Sequence, residues 1–471
     1  MLTRRDILSL GVTGGGALLL GLGGLTALDN PTPDLKLRIV QSKIEIAPGK
    51  IVETTTYNGS VAAPPIRMHE GSPVHVEIAN ETDREEYVHW HGFLIPASLD
   101  GAMEERSLAV SSGRKLDYLL VPQPAGARYV HSHAMAGHDL TRGTYSGQFA
   151  FVYIEPRNDP GRYDREVFLS THEWDAYLTN DELCEEAFET PEQQQREREA
   201  SKLEPDHWEV AYRSASINGR ALGHGEPIRV KEGEHVLFHV LNASATENIR
   251  LSLPGHSFRV VALDGNPVPK AATVNILELG VGERVDVIVE MRNPGVWVFG
   301  SNDDISRDQG MGIVVEYAGR NGAPEWRDPT GQDWSYALFS NRIQPAEEYA
   351  ALPMVIDRTM PALKGFEQWM INGRTFDETE PPMVLERGKR YRFAFRNNSD
   401  DWHPLHFHRS RVELVRMDGE LATGIQKDVF VIQPFGTAEV DLSPTETGLT
   451  LFHCHQQLHM DSGFKKLFKV V

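Results

Sequence analysis

Gly71-Ser72-Pro73-Val74-His75-Val76-Glu77-Ile78-Ala79-Asn80 is a glycine turn followed by a strand that alternates apolar and polar side chains. The pattern returns from Gly233 to Asn242, where Val236-Leu237-Phe238-His239-Val240 forms the strand, and from Gly388 to Asn397. In all three copies the glycine-to-asparagine step is nine positions. An Asn-Gly pair precedes each copy (Asn58-Gly59, Asn218-Gly219, Asn372-Gly373), and an Asp-Gly pair follows it (Asp100-Gly101, Asp264-Gly265, Asp418-Gly419). Short alternating runs bounded by turns make β-sandwiches. A period this long means one domain triplicated, not a solenoid. The repeat predicts an all-β chain with domains at 34–157, 163–318 and 345–471, and a linker over 319–344.

Around this repeat the bulk composition sets limits. A chain of 471 residues exceeds one ordinary core, and 40% hydrophobic with 24% charged residues is normal for a globular protein. Sixty-seven acidic against 47 basic residues give a net charge of -20, which disfavours nucleic acid and anionic lipid as partners. Two cysteines, Cys184 and Cys454, exclude a disulfide framework, although a single bridge between them is open by count alone. The strand-poor, charged segment 181–204 reads as a helical insertion in the second domain, either a solvated surface helix or a lid, with Cys184 a bystander thiol. At the start of the chain, Thr3-Arg4-Arg5-Asp6-Ile7-Leu8 resembles a twin-arginine motif. The uncharged stretch after it, up to Leu28, is long enough to span a membrane but is loosened by seven glycines. Residues 1–33 are therefore expected to be an export signal and leader, with a retained anchor as the alternative.

Ten of the nineteen histidines fall in four short motifs. These are His89-Trp90-His91, His131-Ser132-His133, His403-Pro404-Leu405-His406-Phe407-His408, and His453-Cys454-His455 with His459. On a strand, histidines two apart point to the same face, so each pair offers two imidazoles to one side. Neutral imidazole suits copper, zinc, iron and nickel. In His453-Cys454-His455 the cysteine points away from its neighbours, so it serves a different metal from theirs. Cys454, His459 and His403 then form a His2Cys set, the type used by blue copper. Tetrahedral zinc and iron–sulfur clusters would need thiolates that the chain lacks.

These motifs, their order and the threefold repeat resemble the multicopper oxidases: laccases, cuprous oxidases and bacterial copper-resistance oxidases. The resemblance covers nearly the whole mature chain, and the run from His89 to Gly101 looks closest to the laccase-like copper-resistance group. It implies three cupredoxin-like Greek-key sandwiches and four coppers per chain. By resemblance, His403, Cys454 and His459 match the type 1 ligands, and His89 and His406 the type 2 ligands. His91, His131, His133, His408, His453 and His455 match the type 3 pair. The second repeat has Asn248-Ile249-Arg250-Leu251-Ser252 where the others have histidines. The cluster is therefore expected between the first and third domains, with the second a spacer on the substrate side.

The implied reaction takes single electrons from a phenol or aromatic amine at type 1 copper. Cys454 and its neighbours His453 and His455 carry them to the cluster, where O2 is reduced to water. Asp100 matches a family acid that assists proton delivery, although an Asp-Gly pair also reads as a simple turn. A second family acid, found in some members directly after the last type 1 histidine, is replaced by Met460, with Asp461 beyond it. The axial position, ten residues after Cys454, is Phe464, which cannot ligate. A three-coordinate type 1 site of raised potential follows, with Met460 as the substitute ligand to consider. His138 is a candidate outer contact. His69, His75, His172, His207, His224, His235, His239 and His256 read as surface or satisfied core residues.

The expected partners are O2, a small-molecule donor and the twin-arginine export machinery, with a periplasmic or extracellular location. Three competing functions remain to be weighed. A copper nitrite reductase lacks the paired type 3 histidines. A copper-free structural relative would have lost ligands. A Cu(I) oxidase for copper tolerance often carries a methionine-rich insert, and the twelve methionines here are scattered.

Overall fold

The computed structural model describes residues 32–61, 63–157, 162–179, 208–331, 334–359 and 367–471. The leader, the insertion 181–204 and Cys184 lie outside the described residues. Among the described residues no helix is long and apolar enough to cross a membrane.

From Asp34 onward the chain forms three two-sheet sandwiches. In the first, one sheet runs Lys50–Tyr57, Leu35–Ala47, Val74–Asn80, Lys115–Leu120, and the other Ile66–His69, Phe149–Glu155, Gly126–Ser132, Val88–His91. In every copy the repeated strand is flanked by a parallel and an antiparallel neighbour. Val74–Asn80 lies between Leu35–Ala47 and Lys115–Leu120, His235–Asn242 between Arg165–Trp174 and Arg284–Glu290, and Tyr391–Asn397 between Ala350–Thr359 and Thr437–Leu442.

The repeated asparagines have identical jobs. Asn80, Asn242 and Asn397 are buried. Each side-chain NH2 donates to two carbonyls: Arg84 and Val110, Glu247 and Leu279, or Asp401 and Gln433. Each side-chain oxygen accepts an amide two residues on, from Thr82, Ser244 or Ser399. These bonds pin the loop that delivers the chain to Val88–His91, Ile249–Ser252 and His403–Phe407, the strands on which histidines can be displayed. Asn58, Asn218 and Asn372 adopt positive φ, and by the same pair of bonds each ties its turn to the opening strand of its sandwich, Leu35–Ala47, Arg165–Trp174 or Ala350–Thr359.

The segment after Gly319 is anchored, not a free tether. Tyr336 and Phe339 are buried in a core that runs continuously through the second and third sandwiches, and Tyr336 Oη donates to Glu283 Oε1 at 2.5 Å. Two sheet registers then set up the site. His89 stands opposite His131 in the first sandwich, and His406 opposite His453 in the third.

Candidate metal centre

In the third sandwich, Cys454 ends strand Gly448–Cys454, and the short helix Gln457–Asp461 returns His459 towards it. The Cys454 Sγ lies 3.8 Å from His403 Nδ1 and 3.6 Å from His459 Nδ1. The Ser399 hydroxyl is 2.9 Å from His403 Nε2, so that nitrogen is engaged and Nδ1 is left facing the sulfur. Burial, then His459 and Arg358, holds His403 well below the ordinary histidine range, which keeps it a neutral donor. Apolar rings close the group: Trp369 packs 4.6 Å from the His403 ring and 4.5 Å from the His459 ring, and the Phe464 ring is 5.0 Å from His403. His459, at 8% exposure, is the most accessible member of the set.

The other eight motif histidines converge where the first and third sandwiches meet. They gather as His89, His91 and His406; His91, His131 and His455; and His133, His408 and His453. Their hydrogen bonds test whether metal belongs there. His408 Nδ1 faces Asp100 Oδ2 at 2.7 Å and His453 Nδ1 faces the Cys454 carbonyl at 2.7 Å, so each Nδ1 carries the proton. Their Nε2 atoms, 2.9 Å apart, are then two bare lone pairs pointed at each other. His89 Nδ1 donates to the Asp100 carbonyl and His406 Nδ1 to the Asp428 carbonyl, which leaves their Nε2 lone pairs 3.4 Å apart. A bound cation relieves such opposition, and buried neutral imidazoles are its donors. Burial depresses His91, His131, His133, His406, His408, His453 and His455 well below the usual range.

His91 is reversed relative to His89, His406, His408 and His453. Its Nε2 donates to Asp428 Oδ1 at 3.0 Å, and its Nδ1 lies 3.2 Å from His455 Nε2. Sequence spacing gave no sign of Asp428.

Asp100 ends a short helix, Ala97–Asp100, capped by Gly101 in the left-handed region. A Cβ on Gly101 would meet the Val88 carbonyl oxygen at 2.0 Å, so only glycine lets this turn press Asp100 onto the histidine strand. Besides its contact with His408, Asp100 Oδ2 is 3.3 Å from His89 Nδ1. Glu105, which sequence reading missed, is buried beside it. Its Oε1 accepts the Leu451 amide at 2.7 Å and lies 3.4 Å from His408 Nδ1. Burial, then the charge of Asp100, pushes Glu105 well above the carboxylate range.

Asp461 has a different task. Its Oδ2 accepts the amides of Ala136 and Gly137 at 2.9 and 2.7 Å, fastening the loop that follows His133. His172, His239 and His256 are buried and partnered within the second sandwich.

The expectation that the second sandwich is a spacer needs correction. Among the described residues it supplies none of the histidine groups, yet Gly282 packs so closely that a Cβ there would sit 3.1 Å from the His455 ring. From the same sandwich, Arg284 reaches Asp428 with both terminal nitrogens, at 2.6 and 2.7 Å. The Asp-Gly repeat that hairpin logic treats as a turn places Asp264 inside this junction.

Comparison with known proteins agrees with this geometry. Three models described as multicopper oxidase match residues 38–159, 183–315 and 351–471. The multicopper oxidase MmcO of Mycobacterium tuberculosis is 26% identical over 98% of this chain and 95% of its own length. Copper resistance protein A of Escherichia coli is 25% identical over 57% of this chain and 48% of its own. A laccase from Botrytis aclada superposes with a TM-score of 0.74 at 19% identity, covering 92% of this chain and 87% of that one. Fet3p, a multicopper oxidase that functions in iron import, gives 0.75 at 15% identity, covering 93% and 90%. Three successive matches to one family, laid over three sandwiches that gather histidines and a cysteine into copper-ready groups, make this chain a member of the multicopper oxidases, copper-using and oxygen-dependent oxidoreductases.

Proposed function

We propose that the protein is a laccase-like oxidase that takes single electrons from phenols or aromatic amines and passes them to O2. His403, Cys454 and His459 would hold the type 1 copper, His89 and His406 the type 2 copper. His91, His131 and His455 would hold one member of the type 3 pair, and His133, His408 and His453 the other. When bound, these coppers supply the one-electron exchange with the donor and the four-electron reduction of O2 to water.

The chain's own contribution can be followed atom by atom. His459 presents the most accessible edge to the donor. Cys454 belongs to one metal group, while its covalent neighbours His453 and His455 belong to the other, so electrons cross by a short through-bond route. The 2.7 Å contact from His453 Nδ1 to the Cys454 carbonyl supplies a second link. Reduction of O2 consumes protons. Asp100 Oδ2 sits against two of the histidines, and Glu105, raised by burial and by the charge of Asp100, lies beside it as a further proton donor. This pair takes the part that family acids near the last type 1 histidine play elsewhere, because Met460 fills one such position and Asp461 is committed to a loop.

The carrying observation is the pairing of bare Nε2 lone pairs, His408 against His453 and His89 against His406. It disfavours a copper-free relative, and the six-histidine type 3 set disfavours a nitrite reductase. Oxidation of Cu(I) is the second reading, supported by similarity to copper resistance proteins. Oxygen uptake on a phenol, an aromatic diamine, bilirubin and Cu(I), with and without added copper, tests both. Faster turnover on Cu(I) than on every organic donor would reverse the order, and no copper-dependent uptake on any would end the proposal. We also propose export through the twin-arginine route, on the strength of Arg4-Arg5 and the uncharged stretch behind them. A host lacking that machinery should then retain the protein in the cytoplasm.

A further inference from the structure

The second sandwich reaches the metal cluster through one buried chain of charges. Asp428 lies between strands Gln426–Lys427 and Val429–Ile432 of the third sandwich. Its backbone carbonyl accepts from His406 Nδ1 at 2.8 Å, and its carboxylate accepts from His91 Nε2 at 3.0 Å. One residue therefore settles which nitrogen two histidines offer to metal: Nε2 for His406 and Nδ1 for His91. Nothing else reverses His91 relative to its neighbours.

Asp428 is itself held from outside its own domain. Arg284, first residue of strand Arg284–Glu290, grips both carboxylate oxygens in a fork. The guanidinium is braced by the Gly282 carbonyl at 2.9 Å. Asp264 accepts the Asp428 and Val429 amides at 3.2 and 3.1 Å and the Arg284 amide at 3.0 Å, locking backbone to backbone. Lys427 completes the lattice, with its Nζ 3.1 Å from Asp264 and 2.9 Å from Glu283. The side chains of Arg284, Asp428, Asp264, Lys427 and His91 have no exposed surface. Gly92, next to His91, leaves room for the fork: a Cβ there would lie 2.7 Å from Asp428 Oδ2 and 2.9 Å from Arg284 Nη2.

We propose that Arg284 is a positioning residue for the three-copper cluster, and that its fork on Asp428 sets His91 as an Nδ1 donor and steadies His406 as an Nε2 donor. The inference rests on the ligand assignment above. It gives the second sandwich a part in the metal chemistry although it provides no ligand. Residues that orient ligands in this way alter metal affinity by about 10- to 100-fold when removed.

The type 1 group lies wholly within the third sandwich, so its blue absorbance is an internal control for folding. Arg284→Met and Arg284→Lys should be loaded with copper beside the unaltered protein. Copper per chain, blue absorbance, the type 2 electron paramagnetic resonance signal and the rate of copper loss to a chelator are then compared. In Arg284→Met the blue band should stay at full intensity per chain, while cluster copper is lost about 10-fold or more faster with an altered type 2 signal. Arg284→Lys keeps the charge but offers no fork, and should move in the same direction by less. Unchanged chelator resistance and an unchanged type 2 signal in both variants would overturn the proposal. So would parallel loss of the blue band and the cluster in both, which would mark a general loss of folding. An unaltered protein that takes up copper without turning blue would instead bring down the ligand assignment beneath it.

Discussion

Phe464 stands ten positions after Cys454, fully buried, with its ring against His403 and stacked 5.6 Å from Trp369. A carbon face in that place would offer no lone pair to a type 1 copper held by His403, Cys454 and His459, which would favour the reduced state. Phe464→Met is expected to lower the type 1 potential in a redox titration, and a rise or no change would show that position 464 is not axial. Asp100 and Glu105 make a second expectation at this scale. Asp100→Asn keeps an oxygen for His408 but cannot pass a proton. Turnover should fall by about 100-fold or more with copper content and blue colour intact. Glu105→Gln should give a smaller loss in the same direction, and full activity in both would remove this pair from the proton route. Asp100 was legible because it follows His91 in one motif. Glu105 was not, since its link to His408 crosses two sandwiches and no spacing encodes it.

Among the elements, the turns before the histidine strands are the most heavily specified. The Asn242 side chain makes four hydrogen bonds around the loop before Ile249–Ser252, where no ligand depends on it. Asn242→Ala would strand two carbonyls and an amide in a buried loop, costing about 2 to 4 kcal/mol. Thermal unfolding should report a lower midpoint for this variant while the blue band of the folded protein is unchanged. A midpoint equal to the parent's would mean that the repeated asparagine is not what fixes these loops. Strand existence, turn position and the display of paired imidazoles were all readable, because alternation, Asn-Gly and glycine at positive φ act over a few residues. The small helix Ala97–Asp100 was not, because tertiary packing of Gly101 against Val88 imposes it.

Across the whole molecule, the junctions between sandwiches hold buried charge. His239 lies between Asp286, at 2.8 Å, and Glu166, at 3.9 Å, and Arg67 of the first sandwich pairs with Glu166. Burial pulls His239 down, but Asp286 and Glu166 outweigh it and raise it to about 9. His239, 3.9 Å away, then Tyr163 and Arg67 outweigh burial and lower Glu166 to about 2. The contribution of His239 is thus complete below its unfolded value near 6.5 and is lost as pH rises through about 9. That of Glu166 is complete above about 4.5 and is lost as pH falls through about 2. Stability from this junction should be greatest between those limits, and His239→Gln should flatten the decline from neutral pH to about 9. An alkaline limb as steep as the parent's would refute the account. Stripping copper should also lower the unfolding midpoint, because eight histidines from the first and third sandwiches share the cluster and ligand binding favours the folded state. Equal midpoints with and without copper would contradict it.

The sequence by itself determined the three β-sandwiches, the all-β class and which histidines share a strand face beside Cys454. Those properties follow from strand alternation, turn chemistry and the adjacency of His453, Cys454 and His455, all of which are local along the chain. Only the tertiary structure decided that Glu105 backs Asp100, that Asp428 reverses His91, and that the second sandwich clamps the cluster through Arg284. Most of those contacts join residues from different sandwiches, such as Glu105 with His408, His91 with Asp428 and Arg284 with Asp428, and their geometry depends on how three independently patterned domains dock, of which hydrophobic periodicity carries no record.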